Sequence, residues 1–177
     1  MSIREEVRLL QEVPLFAGTH AAHLQLLVFS AEKFDIDAGE YLFRQGEKTG
    51  SGWLISRGAA EAWLDHGGRP ERVARLEAGA FAGELAMIAD LPHRVSVRAL
   101  SPLSGRRIPH ELFMRVCSEF SEFGQQVLAN LTADFSMSMA ELNRVRELFE
   151  RARSFQPQSG SSAREVDTAP ISPQENR

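Results

Sequence analysis

Cysteine is almost missing from this chain. Cys117 is the single one in 177 residues, so neither a disulfide framework nor a thiolate metal or iron-sulfur site can be assembled within one copy. That usage fits a reducing compartment. Long apolar runs are lacking too: nowhere do 18 apolar residues follow one another, and the N-terminus carries the alternating charges of Arg4, Glu5, Glu6 and Arg8. The expectation is a cytoplasmic protein without signal peptide or membrane span. A basic excess is lacking as well. With a formal net charge of −4 and a pI near 5.8, the surface is not one built to neutralise a nucleic-acid backbone. No serine or cysteine stands in a nucleophile context, and Cys117 reads as packing on an apolar helix face.

What is present suffices for one domain with a core plus appendages, at 43% apolar and 25% charged positions. Residues 1–30 read as helical. Ser2 and Glu5 have the spacing of a capping box, and Val7, Leu9 and Leu10 supply an apolar side. Pro14 and Gly18 interrupt the pattern, after which Thr19 is placed to cap a second helix carrying Leu24, Leu26, Leu27 and Val28. His20 and His23 lie one turn apart there. With no third ligand evident they read as surface histidines, not a metal pair.

Residues 31–108 change period. The runs KFDI, EYLF, GWLI, AEAWL, RVARL, VSVRAL and GRRI are separated by Gly-, Asp- and Pro-rich turns every eight to twelve positions, the pattern of an all-β sandwich or barrel. His66-Gly67-Gly68 reads as a hairpin tip, Trp53 and Trp63 as core, and Arg106-Arg107 as an ordinary solvated pair.

Residues 109–153 return to helix. Pro109 suits a first helical turn, and Leu112, Phe113, Val116 and Cys117 share one face. Leu128, Leu131, Phe135, Ser138, Leu142, Val145 and Phe149 then recur at three-four spacing, a seam of coiled-coil type. A helix of about 30 residues spans roughly 45 Å, longer than a small β domain needs for covering, so a homodimer through Leu128, Leu131, Phe135, Leu142, Val145 and Phe149 is expected. The alternative is a helix that only covers its own domain. Residues 154–177, rich in Pro, Ser, Gln and Gly, predict a disordered tail.

Helices, about eight short strands and a long helix, in that order, resemble the cyclic nucleotide-binding domain family, the module of catabolite activator protein and of protein kinase A regulatory subunits. Two blocks carry the resemblance. GEYLFRQGEKTGSGWLISRGAAEAW (residues 39–63) is similar to the family's glycine-punctuated hairpin, and GAFAGELAMIADLPHRVSVRA (residues 79–99) to its phosphate-binding cassette. The implied fold is mainly β with flanking helices: an eight-stranded antiparallel β-roll, or jelly roll, with N-terminal helices and a long C-terminal helix. The implied ligand is cAMP or cGMP, held without a metal by Gly83, Glu84, Leu85, Ala86, His93, Arg94, Val95 and Ser138.

The cassette also has a logic of its own. Gly83 lets the backbone approach a ligand, and a short helical turn over residues 84–89 would aim unpaired N–H groups at an anion. Glu84 has the wrong charge for phosphate but suits a sugar hydroxyl, and the family's matching glutamate binds the ribose 2′-hydroxyl. Thr132, Ser136 and Ser138 lie where the family's helix meets the base, and spacing alone does not choose among them.

One departure stands out. In the family an arginine follows the position of Pro92 and pairs with the cyclic phosphate, whereas here His93 does, with Arg94 one place later. Along an extended segment the two side chains should point oppositely unless a bulge shifts the register. Loss of a charged hydrogen bond, about 1.5 to 3 kcal/mol, weakens binding by roughly ten- to over a hundredfold.

Three functions follow. In the first, a weak sensor of cyclic nucleotide signals through its C-terminal helix to a partner. In the second, the domain has lost its ligand and serves as a dimeric interaction module. The third, a metal-dependent jelly-roll enzyme, lacks the closely spaced histidine pair its strands would need, since His66 and His93 are isolated; the expectation is that the protein is not an enzyme. Direct DNA binding is not expected either: the segment after Phe149 holds no periodic helix pair, and Arg144, Arg146, Arg151 and Arg153 are interleaved with Glu141, Glu147 and Glu150.

Overall fold

A computed structural model describes residues 1–133. Helix α1 (Ile3–Glu12) starts where the capping box places it: the Glu5 carboxylate accepts from the Ser2 N–H at 2.7 Å, and Ser2 Oγ accepts from the Glu5 N–H at 3.4 Å. The Ser2 backbone donor holds the Glu5 carboxyl below the ordinary carboxylate pKa. A 3-10 turn at Pro14–Phe16 follows, then α2 (Ala21–Ser30). Thr19 does not cap α2, contrary to expectation. His20 takes that position, and the Thr19 hydroxyl donates back to the Phe16 carbonyl at 2.7 Å, which also accepts the Thr19 N–H at 3.2 Å.

Eight strands follow: β1 (Glu32–Ile36), β2 (Tyr41–Phe43), β3 (Ser51–Arg57), β4 (Ala60–Asp65), β5 (Pro70–Leu76), β6 (Phe81–Ala82), β7 (Ser96–Ala99) and β8 (Leu103–Pro109). Seven coincide with the runs read from the sequence. The two-residue β6 is too short to leave a periodic signal. The strands form two antiparallel four-stranded sheets, ordered β1-β8-β3-β6 and β2-β7-β4-β5. The architecture is the expected β-roll with flanking helices. His66 to Arg69 close the β4–β5 hairpin, as read.

Strand β3 organises both cores. Trp53 and Ile55 point between the sheets, packing with Phe43, Ala62, Val97 and Leu103, while Leu54 points out into the layer of α1, α2 and α4 (His110–Glu119) with Phe16, Leu27 and Phe113. Burial on both faces explains why this strand reads as a continuous apolar run. Trp53 is core, as expected, and Trp63 is half-buried.

The same alternation overturns the reading of Arg106-Arg107 as a solvated pair. Strand β8 lies between β1 and β3, and its Arg106 faces α1, where Nε donates to Glu6 Oε2 at 2.9 Å with both side chains under a tenth exposed. Ser56 Oγ donates to the other Glu6 oxygen at 3.1 Å. Arg107, on the opposite face, donates to Glu32 and to Ser51 Oγ. Pro109 also differs: it ends β8 as the N-cap of α4, one place before the first turn. Leu112, Phe113 and Val116 form the buried face of α4, with Cys117 half-buried beside them.

Candidate functional site

The site begins at β6, which pairs with Trp53 and Leu54 of β3 and delivers the chain to Gly83. Gly83 has φ +82, in the left-handed region, and a Cβ there would lie 2.7 Å from the Ser51 carbonyl oxygen and 3.0 Å from His93 Cε1. Glycine is therefore required twice over, for conformation and for space. It caps α3 (Glu84–Ala89), whose hydrogen-bond ladder starts with the Met87 N–H donating to the Gly83 carbonyl at 2.9 Å. The N–H groups before Met87 thus have no acceptor within the helix.

The far end of α3 is tied down. Asp90 closes it in a left-handed conformation, φ 49, and receives the Lys48 ammonium at 3.1 Å. His110, the first residue of α4, donates from Nδ1 to the Met87 carbonyl at 2.6 Å and from its backbone N–H to the Gly50 carbonyl at 2.7 Å. The β2–β3 loop therefore touches both the cassette and α4.

His93 is locked to that same loop. Its backbone N–H donates to the Glu47 carbonyl at 2.9 Å, and its carbonyl accepts from the Gly46 N–H at 2.8 Å. The ring stacks on Phe43, with centroids 3.7 Å apart and planes 12° from parallel, and its Nε2 lies 2.7 Å from Thr49 Oγ1. Only 6% of the residue is exposed. Burial pushes the imidazole below the ordinary histidine pKa, with the Glu47 carboxylate pulling the other way. Near neutral pH the ring is uncharged.

Arg94 is exposed whereas His93 is buried. The alternation argument does not apply to them. Residues 91–95 are irregular, with bends at 94 and 95, and β7 starts only at Ser96, so both His93 and Arg94 border one hollow. That hollow, of about 210 Å³, brings together Gly83, Glu84, Leu85, Ala86, His93, Arg94 and Val95 from the sequence-based set. Phe43, Ala62, Leu76, Ala82, Pro92 and Val97 complete its wall. Larger hollows lie elsewhere: two of about 460 Å³ around Asp35 and Arg57, one of about 500 Å³ along Gly39, Tyr41 and Arg44, and one of about 250 Å³ against α1. The hollow at Gly83 is the candidate because an open helix start, a buried imidazole and a guanidinium converge on it.

Ser138 and Ser136 lie outside the described residues, as do Phe135, Leu142, Val145 and Phe149 of the seam. Thr132 is exposed and its hydroxyl donates to the Leu128 carbonyl at 2.8 Å. The helix from residue 121 packs Phe123, Val127 and, in part, Leu131 on the domain core, while Leu128 is 63% exposed. His23 packs on Phe120, and among the described residues no group of three or more His, Cys, Asp or Glu side chains sits together to hold a metal ion. No described helix is long and apolar enough to cross a membrane.

Phe43, Thr49 and His110 were not singled out from the sequence. The run EYLF placed Phe43 on a strand, but its stacking on a residue 50 positions away leaves no local signal.

Residues 33–120 match the family model "Cyclic nucleotide-binding domain". The chain is 29% identical over 107 residues to a cAMP-dependent protein kinase regulatory subunit of Emericella nidulans, covering 60% of this chain and 26% of that protein. It thus spans about a quarter of that relative's length. A cyclic nucleotide-binding-like protein from Brucella abortus superposes with a TM-score of 0.59 at 27% identity, over 64% of this chain and 98% of that one. The regulatory domain of Toxoplasma gondii protein kinase A, solved with cAMP, superposes with a TM-score of 0.62 at 23% identity, over 76% and 50%.

Proposed function

Because the domain formed by residues 33–120 belongs to the cyclic nucleotide-binding domain family, we propose that this chain is a regulatory, non-enzymatic module that binds cAMP or cGMP weakly and relays occupancy through its C-terminal helices. The observation that carries the reading is the hollow at Gly83, where backbone amides, His93 and Arg94 converge. In this reading the Leu85 and Ala86 amides meet the phosphate, Glu84 takes a ribose hydroxyl, and Arg94 supplies charge from the rim. His93 contributes one hydrogen bond where a guanidinium would give a charged fork. The regulatory domain of Toxoplasma gondii protein kinase A, solved with cAMP, supports this ligand class.

Two observations favour weak binding and, at the limit, the ligand-free interaction module. The hollow is below the roughly 300–1,000 Å³ typical of ligand pockets, and its buried side chain is neutral. Isothermal titration separates the two: heat saturating at micromolar to sub-millimolar cAMP or cGMP is expected, and silence at millimolar ligand would leave the interaction module.

Relay to a partner runs through the His110 bond to the Met87 carbonyl, which joins the cassette helix to α4. The same helical region makes a homodimer, Leu128 being an exposed apolar side chain on the seam. Leu128→Arg is therefore expected to convert a dimer to a monomer in sedimentation analysis while changing fold stability by less than about 0.5 kcal/mol, as surface substitutions do. A wild-type chain that sediments as a monomer removes the dimer.

A further inference from the structure

We propose that His93 takes up one proton from solvent as an anionic ligand enters the hollow, so that the site binds phosphate more tightly as pH falls below neutrality. This rests on the cyclic-nucleotide reading above and adds its regulation.

The geometry supplies a group that is buried, touches the glycine turn and tolerates two protonation states. The ring is wedged between Phe43 and the turn, its Cε1 3.0 Å from where a Gly83 Cβ would stand. Its polar partner is a hydroxyl, 2.7 Å from Nε2. Thr49 Oγ1 donates to the unprotonated nitrogen or accepts from the protonated one by rotating its hydrogen.

The charged surroundings leave room for the change. On the β2–β3 loop, Glu47 favours the charged ring and Lys48 is held by Asp90 of the cassette. From β8, Arg107 donates to the Thr49 carbonyl and to Glu32. On the hollow's wall Glu84 and Arg94 are the other charged residues, Arg94 being exposed. In the empty site burial keeps the ring neutral. A phosphate against the turn favours the imidazolium, which then carries two N–H donors, one toward Thr49 and one available to the ligand. The sign follows: the ring's pKa is higher with ligand than without, so affinity is flat at high pH and rises as pH falls through the liganded value. It levels off below the unliganded value.

The test is titration with cAMP, and with cGMP in parallel, between about pH 8 and pH 6, in two buffers of unlike ionisation enthalpy. Wild type is expected to tighten by up to about tenfold per pH unit, with buffer-dependent heat that reports proton uptake. His93→Gln keeps a hydrogen-bonding group that does not titrate and should flatten the profile, while His93→Arg should flatten it and bind about ten- to a hundredfold more tightly. Binding that is independent of pH and buffer overturns the proton coupling and leaves the ligand reading standing, as does a pH profile unchanged in His93→Gln. Absence of binding by wild type and His93→Arg at every pH overturns both. The buffer comparison uses the unaltered chain, so it decides the matter even where a variant does not fold.

Discussion

Gly83→Ala is expected to bind cAMP at least about a hundredfold more weakly than wild type while remaining folded. A non-glycine residue in the left-handed region costs about 1–2 kcal/mol, which lowers the melting temperature by only a few degrees. The larger effect is local. The added methyl would stand 2.7 Å from the Ser51 carbonyl oxygen, part of a strand paired on both sides with β6 and β8, so the turn must move and not the strand. Moving the turn misaims the first amides of α3. A hydrogen bond to a charged group is worth about 1.5–3 kcal/mol, so losing two amounts to roughly a hundred- to ten-thousandfold. Calorimetric titration and a thermal melt measure the two effects separately. Gly67→Ala is the control: φ there is +67, with nothing within 4 Å of the added carbon, so it carries the backbone strain without touching the site. A Gly83→Ala chain that binds as wild type does would show that the turn is not the anion's seat.

Glu6→Ala is expected to destabilise the domain by about 3–5 kcal/mol, as removal of one partner from a buried ion pair does. Whole domains hold about 5–15 kcal/mol, so this is a large share. The Arg106 guanidinium stays beneath α1 with a weak bond to the Ala31 carbonyl at 3.4 Å and no countercharge, and Ser56 loses its acceptor. The reverse change, Arg106→Ala, should cost a similar amount. Glu6→Leu with Arg106→Met, which removes both charges and keeps the volume, should recover most of the loss. Thermal melts of the three variants decide it. A single change that costs no more than about 0.5 kcal/mol, the surface norm, would mean that solvent reaches the pair and that it does not hold α1 to the sheet.

Both variants probe features that differed in legibility. The Gly83 turn was visible in FAGELAM because a glycine before a short apolar helix is a local pattern, with its physical consequence contained in a few residues. The Glu6–Arg106 pair joins positions 100 apart, and each residue alone reads as solvated. Arg106-Arg107 looked symmetric in sequence, yet alternation across a central strand sends one beneath a helix and the other toward Trp53 and Glu32. The expected alternation of His93 and Arg94 does not apply, because an irregular stretch, not a strand, carries them: one is buried and one exposed, and both border one hollow. Thr19 misled because the helix starts one residue later, with His20 at the cap, and the Thr19 hydroxyl donates into the preceding turn.

Local chemistry, then, was written in the order of residues: where helices start, where strands alternate and turn, and which glycine opens a cradle. Those properties depend on neighbours a few positions apart, whose geometry the backbone fixes almost alone. What became of His93 depended on Phe43, Thr49 and Glu47 arriving from another strand and loop. Burial and stacking made it a neutral ring beside the cradle, and the energy of an ionisable group is set by the surroundings that folding brings to it.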